Sequence, residues 1–136
     1  MQLNKNLREF IGLLNSHRVE YIIVGAYALA FHGNNQYATD LKVLVNPSAV
    51  NARRIVAALI HFGFPSFGLA AAEFTAPNHI VQIGQPPGQI DVLTSIQGAS
   101  FAEVWQSRET ATLDGVPVSY IGQDALVRNN TAHGSS

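Results

Sequence analysis

Between Val19 and Phe31 the chain reads VEYIIVGAYALAF, where β-branched and aromatic residues stop at a glycine and helix formers begin at once. The first half, Val19 to Val24, reads as a buried strand and Ala26 to Phe31 as a short helix, with Gly25 beginning the turn between them. His32-Gly33-Asn34-Asn35 supplies the glycine and asparagines that commonly close a helix. The apolar stretch from Tyr21 to Phe31 contains a glycine and is well short of the ~18 residues a membrane helix needs, so it predicts a core element and no membrane segment.

The rest of the chain continues the alternation. Leu3, Leu7, Phe10, Ile11 and Leu14 recur at helical steps and predict an amphipathic helix from Leu3 to Ser16. Asp40 to Val45 (DLKVLV) predicts a second strand, stopped by Asn46-Pro47, and Ser48 is placed to cap a helix running to about His61, with Gly63 as its stop. After a mixed loop, strands at His79–Ile83 and Gln89–Leu93 flank the tight Pro86-Pro87-Gly88 turn as a hairpin. Ser100 to Arg108 predicts a helix capped by Ser100, with Phe101, Val104 and Trp105 facing inward. Thr110–Leu113 and Val116–Ile121 form a second hairpin around Asp114-Gly115, followed by a helix at about Gln123–Asn129. Alternating strands and helices with two tight hairpins predict an α+β fold, a mixed β-sheet with helices packed on it. One domain over residues 1–130 and a polar tail over 131–136 are expected, since 136 residues with 47% hydrophobic content suit a single core.

Charge and cysteine content narrow the function classes. Without cysteine, disulfide frameworks and thiolate metal sites are excluded, and the polar start Met1 to Arg8 does not read as a signal peptide, so the cytoplasm is the expected compartment. Eight Lys plus Arg against nine Asp plus Glu leave no basic excess for an extended nucleic acid. Charged residues are only 12% of the chain, which predicts a neutral surface prone to homodimerisation. The five histidines show no paired spacing such as H-x-x-x-H, so no zinc motif is legible.

Three features carry chemistry together: the strand–Gly25–helix junction, Asp40 opening a strand, and Asp91 inside the apolar strand QIDVL. A helix start can hold phosphate on its free N–H groups, although a glycine after a strand is most often only a turn residue. Asp91 is the harder to dismiss, because aspartate is depleted in strands and a carboxylate among apolar neighbours calls for a cation.

The segments VGAYALAFHG (Val24–Gly33), TDLKVLV (Thr39–Val45) and QIDVLTS (Gln89–Ser95), in this order and spacing, resemble the minimal nucleotidyltransferases of the DNA polymerase beta-like superfamily. Within it they look most like the AbiEii-type toxin and related small proteins, over a span from about Leu7 to Arg128. The resemblance implies a nucleotidyltransferase-type fold. It also implies a glycine pair that cradles nucleotide phosphate, an Asp-x-Asp strand that binds two divalent ions, and a third acid on a neighbouring strand. Residue by residue, Gly25 and Ala26 stand at the pair, Asp40 and Lys42 at the Asp-x-Asp, and Asp91 at the third acid. Relatives carry further basic residues beyond the segment Ile121–Asn129; here Arg128 is the basic residue left to help hold the nucleotide.

Lys42 is the departure that matters. Strand alternation puts Asp40 and Lys42 on one face, so an ammonium stands where a second carboxylate would share the metals. Two carboxylates and one ammonium keep one net negative charge, enough for at most one weakly held Mg²⁺ at Asp40 and Asp91. Lys42 itself reads either as a surface lysine on an edge strand or as a salt-bridge partner of Asp40 or Asp91. Three functions follow as expectations: a nucleotide-binding or protein-interaction module with lost or reduced transferase activity; a working, toxin-like enzyme that moves a nucleoside monophosphate from a triphosphate to a protein or RNA hydroxyl; and an antitoxin-like or structural dimerisation partner. In the first two, Asp40, Lys42 and Asp91 form the reactive or formerly reactive centre.

Overall fold

The computed structural model describes residues 3–34, 37–64 and 70–132. Its elements run α1 (Lys5–Ser16), β1 (Tyr21–Val24), α2 (Gly25–Phe31), β2 (Leu41–Val45), α3 (Ala49–Phe62), a 3-10 turn (Ala71–Phe74), β3 (Ile80–Ile83), β4 (Ile90–Leu93), α4 (Phe101–Gln106), β5 (Glu109–Leu113), β6 (Val116–Tyr120) and α5 (Gln123–Ala132). The six strands form one mixed sheet in the order β3-β4-β2-β1-β6-β5. The pairs β1–β2, β3–β4 and β5–β6 are antiparallel, whereas β2–β4 and β1–β6 are parallel. The architecture is the expected α+β class.

Local chemistry explains most boundaries. Asn4 caps α1 by accepting a hydrogen bond from the Leu7 N–H at 2.8 Å, and Leu7, Phe10, Ile11 and Leu14 bury the apolar face. Ser48 caps α3 through the Asn51 N–H, and Gly63, at φ 111°, ends it in the left-handed conformation that glycine adopts without strain. Ser100 and Glu103 form a reciprocal capping box on α4, and those hydrogen bonds hold the Glu103 carboxyl below its ordinary range.

Several expected boundaries shift. β1 starts at Tyr21 because the Val19 N–H is spent on the Leu14 carbonyl at the end of α1 and the Glu20 N–H on the Asn51 side chain. The first helix begins at Lys5, after its cap. α4 stops at Gln106, and Arg108 folds back, its guanidinium 3.8 Å from the centre of the Trp105 ring. Part of the expected mixed loop is the 3-10 turn that buries Phe74. α5 continues through Thr131 and Ala132, two residues of the expected polar tail; Asn35 and the tail from residue 133 lie outside the described residues.

Buried side chains from all six strands and from α1, α2, α3, α4 and α5 form one core. α1 packs on α3, and α2 packs on β1 and β2. β1 is buried at all four positions, as suits a strand in the middle of the sheet. β2 is equally central, yet Lys42 is exposed between buried Leu41 and Val43. The edge-strand reading of Lys42 therefore fails: its strand is paired on both sides, and the exposure marks a place where the sheet face is uncovered. No helix among the described residues is long and apolar enough to cross a membrane.

Candidate functional site

The uncovered face lies where β1, β2 and β4 meet the start of α2. Val24 is in register with Lys42, and Lys42 with Asp91, so the three side chains share one sheet face. Gly25 follows directly, at φ 70°. A Cβ added there would stand 3.2 Å from Cδ of Lys42, so a side chain at position 25 would press the lysine stem aside by a few tenths of an ångström, besides being strained at this φ. The left-handed conformation sits at Gly25 and not at Ala26, so alanine in the second place of the pair carries no strain.

Asp40 and Asp91 are drawn into the same region by Gln89. The Asp40 carboxylate accepts the backbone N–H groups of Gly88 at 2.8 Å and Gln89 at 3.0 Å through Oδ1, which fixes the end of the β3–β4 turn. Nε2 of Gln89 donates to Oδ1 of Asp91 at 2.7 Å. These bonds explain why β2 begins at Leu41 and not at Asp40: the aspartate is committed to capping the neighbouring turn. The Tyr27 phenol on α2 is held above its ordinary range by burial, reinforced by the Asp40 charge. Among the described residues Lys42 forms no ion pair with Asp40 or Asp91, so the salt-bridge reading of Lys42 also fails.

The cleft itself, about 470 Å³, is lined by Val24, Gly25, Lys42, Asn78, His79, Ile80, Leu93, Ser95, Ile96, Gln97, Asn129 and Asn130. Lys42 is its cation, and none of these residues is a carboxylate. Asp40, Asp91 and Ala26 stand beside this space without lining it. Arg128 is exposed on α5 outside it, while the next two residues, Asn129 and Asn130, face in. The amide row was invisible in the sequence because its members come from three separate segments. Asn78 and Ser95 are joined side chain to side chain at 2.9 Å across the ends of β3 and β4, and Asn129 holds the Gln97 carbonyl from α5 at 2.8 Å. The one legible signal was that two consecutive asparagines, poor helix formers, end an otherwise helical pattern.

A two-ion centre asks for several carboxylates around the ions. Among the described residues no three His, Asp or Glu side chains are grouped to hold a metal, and Lys42 stands in register with Asp91. The chemistry of the lining suits an anion: a flexible ammonium and side-chain amides offer donors around an open space.

No protein-family model matches the chain, and no curated protein sequence matches it. A crystal structure of a candidate nucleotidyltransferase from Thermotoga maritima superposes on it with a TM-score of 0.67, at 10% sequence identity, covering 94% of this chain and 82% of that one. The arrangement of strands and helices described above is thus a nucleotidyltransferase-type fold.

Proposed function

We propose that this chain is a nucleotide-binding module on a nucleotidyltransferase-type fold, with transferase activity lost or much reduced, and that its cleft takes the phosphate end of a nucleotide on Lys42 without a two-metal centre. The observation that carries the reading is Lys42: the exposed residue of a central strand, packed against Gly25 and in register with Asp91. An ammonium there neutralises phosphate charge directly, a role that divalent ions take in two-metal sites. The narrower kinship with AbiEii-type proteins rests on the three sequence segments around Gly25, Lys42 and Asp91.

Calorimetric titration with ATP tests the reading. Binding is expected with EDTA present, and Lys42→Ala is expected to weaken it tenfold or more. Binding that requires Mg²⁺, or survives Lys42→Ala unchanged, overturns it. Lys42→Asp rebuilds a three-carboxylate cluster, so Mg²⁺ or Mn²⁺ affinity should rise; the change swings two charges close to the ion, worth several kcal/mol at a moderate effective dielectric.

A second reading has one observation behind it. The described hydrogen bonds of Asp40 and Asp91 use Oδ1 alone, leaving Oδ2 of each carboxylate for a single Mg²⁺ in a working enzyme. Equal metal affinity in wild type and Lys42→Asp favours that reading. Self-association belongs to the same proposal, since 12% charged residues leave a weakly repelling surface. A monomer in light scattering at high concentration ends that part.

A further inference from the structure

His17 and His61 are 44 residues apart in the chain and belong to no local motif, yet Nε2 of His17 lies 3.3 Å from Nδ1 of His61. The rings meet edge to face, with centroids 5.6 Å apart and planes at 86°. His17 closes α1 and His61 lies in the last turn of α3. The two helices are fixed on each other by buried side chains such as Phe10, Leu14, Ile55 and Leu59 and by the edge contact of Phe10 with Phe62. Two imidazoles are thus held in place by a rigid frame while remaining open to solvent.

We infer that this pair is a binding site for a late first-row divalent cation, Cu²⁺, Ni²⁺ or Zn²⁺, that clips α1 to α3. Zinc–imidazole bonds are about 2.0–2.1 Å long, which puts two nitrogens on one tetrahedral ion ~3.3 Å apart, the separation already present here. The ligand type selects the ion: imidazole suits Cu, Ni and Zn, whereas Mg²⁺ and Ca²⁺ need oxygens. Both ligands stand at helix C-termini, whose carbonyl ends favour a cation. Arg18 and Arg54 oppose it from the same surface; Nη1 of Arg54 is tied to the Arg18 carbonyl at 3.2 Å. Among the described residues no third His, Asp or Glu joins the pair, so the remaining positions of the ion are filled by water.

The proton balance is simple. In the metal-free pair one imidazole donates its N–H to the other; on binding, that proton moves to the far nitrogen of the same ring, and both facing nitrogens become ligands. At neutral pH no proton is released.

The test uses the full chain, freed of metal and titrated at pH 7.5 with Cu²⁺, Zn²⁺ and, as control, Mg²⁺, by calorimetry and thermal unfolding. Expected are one ion per chain displaced from binding by His17→Gln or His61→Gln, each weakening Cu²⁺ binding tenfold or more, with the double variant no weaker than either single one. Cu²⁺ should bind more tightly than Zn²⁺, and both should raise Tm by mass action. Wild-type affinity in either single variant overturns the proposal. Circular dichroism of the metal-free variants confirms that any loss belongs to the ligand and not to the fold. Nothing in this test involves Lys42, so it fails or succeeds independently of the nucleotide reading.

Discussion

Strands β2 and β4 have one face that is wholly buried and one that is partly open. On one, Leu41, Val43, Val45, Ile90 and Val92 are each at most 2% exposed, as is Ile23 of β1. On the other, Lys42 is exposed, Asp91 and Leu93 are half-buried, and Gln82 and Ile80 of β3 are exposed, Ile80 at 54%, while Leu44 of β2 and Ile22 and Val24 of β1 on that same face stay buried, so it opens only around Lys42 and toward β3. The same few residues of backbone serve both. Alternation lets one face be spent on stability while the other carries charge at little cost to the fold, and that division locates the candidate site.

The largest effect should follow from breaking the covered face. Leu41→Ala removes a fully buried side chain from a strand paired on both sides, and a loss of about 3 kcal/mol is expected in urea denaturation. A loss below about 1 kcal/mol would mean that the face collapses around the cavity and is less rigid than its burial implies.

Asp40 holds the end of the β3–β4 turn beside the open face, and its expected effect is the next in size. Asp40→Ala leaves the Gly88 and Gln89 N–H groups without their acceptor, and a cost of about 2 kcal/mol is expected, because a charged acceptor serving two partly buried donors is lost. Unchanged stability would free Asp40 from this capping role and strengthen the single-ion reading of the cleft.

The covered face was legible in the sequence and the open one only in part, for a physical reason. Burial imposes pattern, so the helical steps of Leu7, Phe10, Ile11 and Leu14, or the apolar run in LKVLV, announce their elements, and caps such as Ser48 and Ser100 announce where helices start. Sites obey no period. Lys42 and Asp91 were legible because a charge within an apolar strand violates the pattern, and Gly25 because it interrupts one. Asn78, Ser95 and Gln97 violate nothing locally, the paired asparagines Asn129 and Asn130 only weakly break a helical pattern, and it is the meeting of α5 with the Gln97–Gly98 segment that gathers them. His17 and His61 were missed for the same reason: spacing rules find ligands on one helix, and these sit at the ends of two.

Tyr21 tests the covered face by pH. Burial raises its phenol above the ordinary range, so the folded chain keeps this proton at pH values where the unfolded chain has lost it. More protons bound in the folded state means that stability falls as pH rises past ~10, the unfolded value, and continues to fall until the folded phenol ionises. Tyr21→Phe should flatten that alkaline slope. At neutral pH it should cost only about 1 kcal/mol, since Oδ1 of Asn15 loses the hydroxyl it accepts from at 2.9 Å but is near water. An unchanged slope would assign alkaline sensitivity to Tyr27 or Tyr120, whose phenols burial also raises.

The smallest stability effect belongs to the open face, and it is the sharpest test of the division. Lys42 neighbours Leu41 in the chain, yet its ammonium has no ion pair among the described residues and its stem lies over Gly25 at the cleft wall. Removing it exposes little apolar surface and orphans no buried partner, so Lys42→Ala should stay within about 0.5 kcal/mol of wild type in the same urea titration that separates Leu41→Ala. A binding role and a packing role then come apart in one variant: unchanged stability together with lost ATP affinity assigns the side chain to the ligand. Should Lys42→Ala instead cost as much as a core truncation, the stem would be part of the packing around Gly25. The two faces of β2 would then differ less than their exposure suggests.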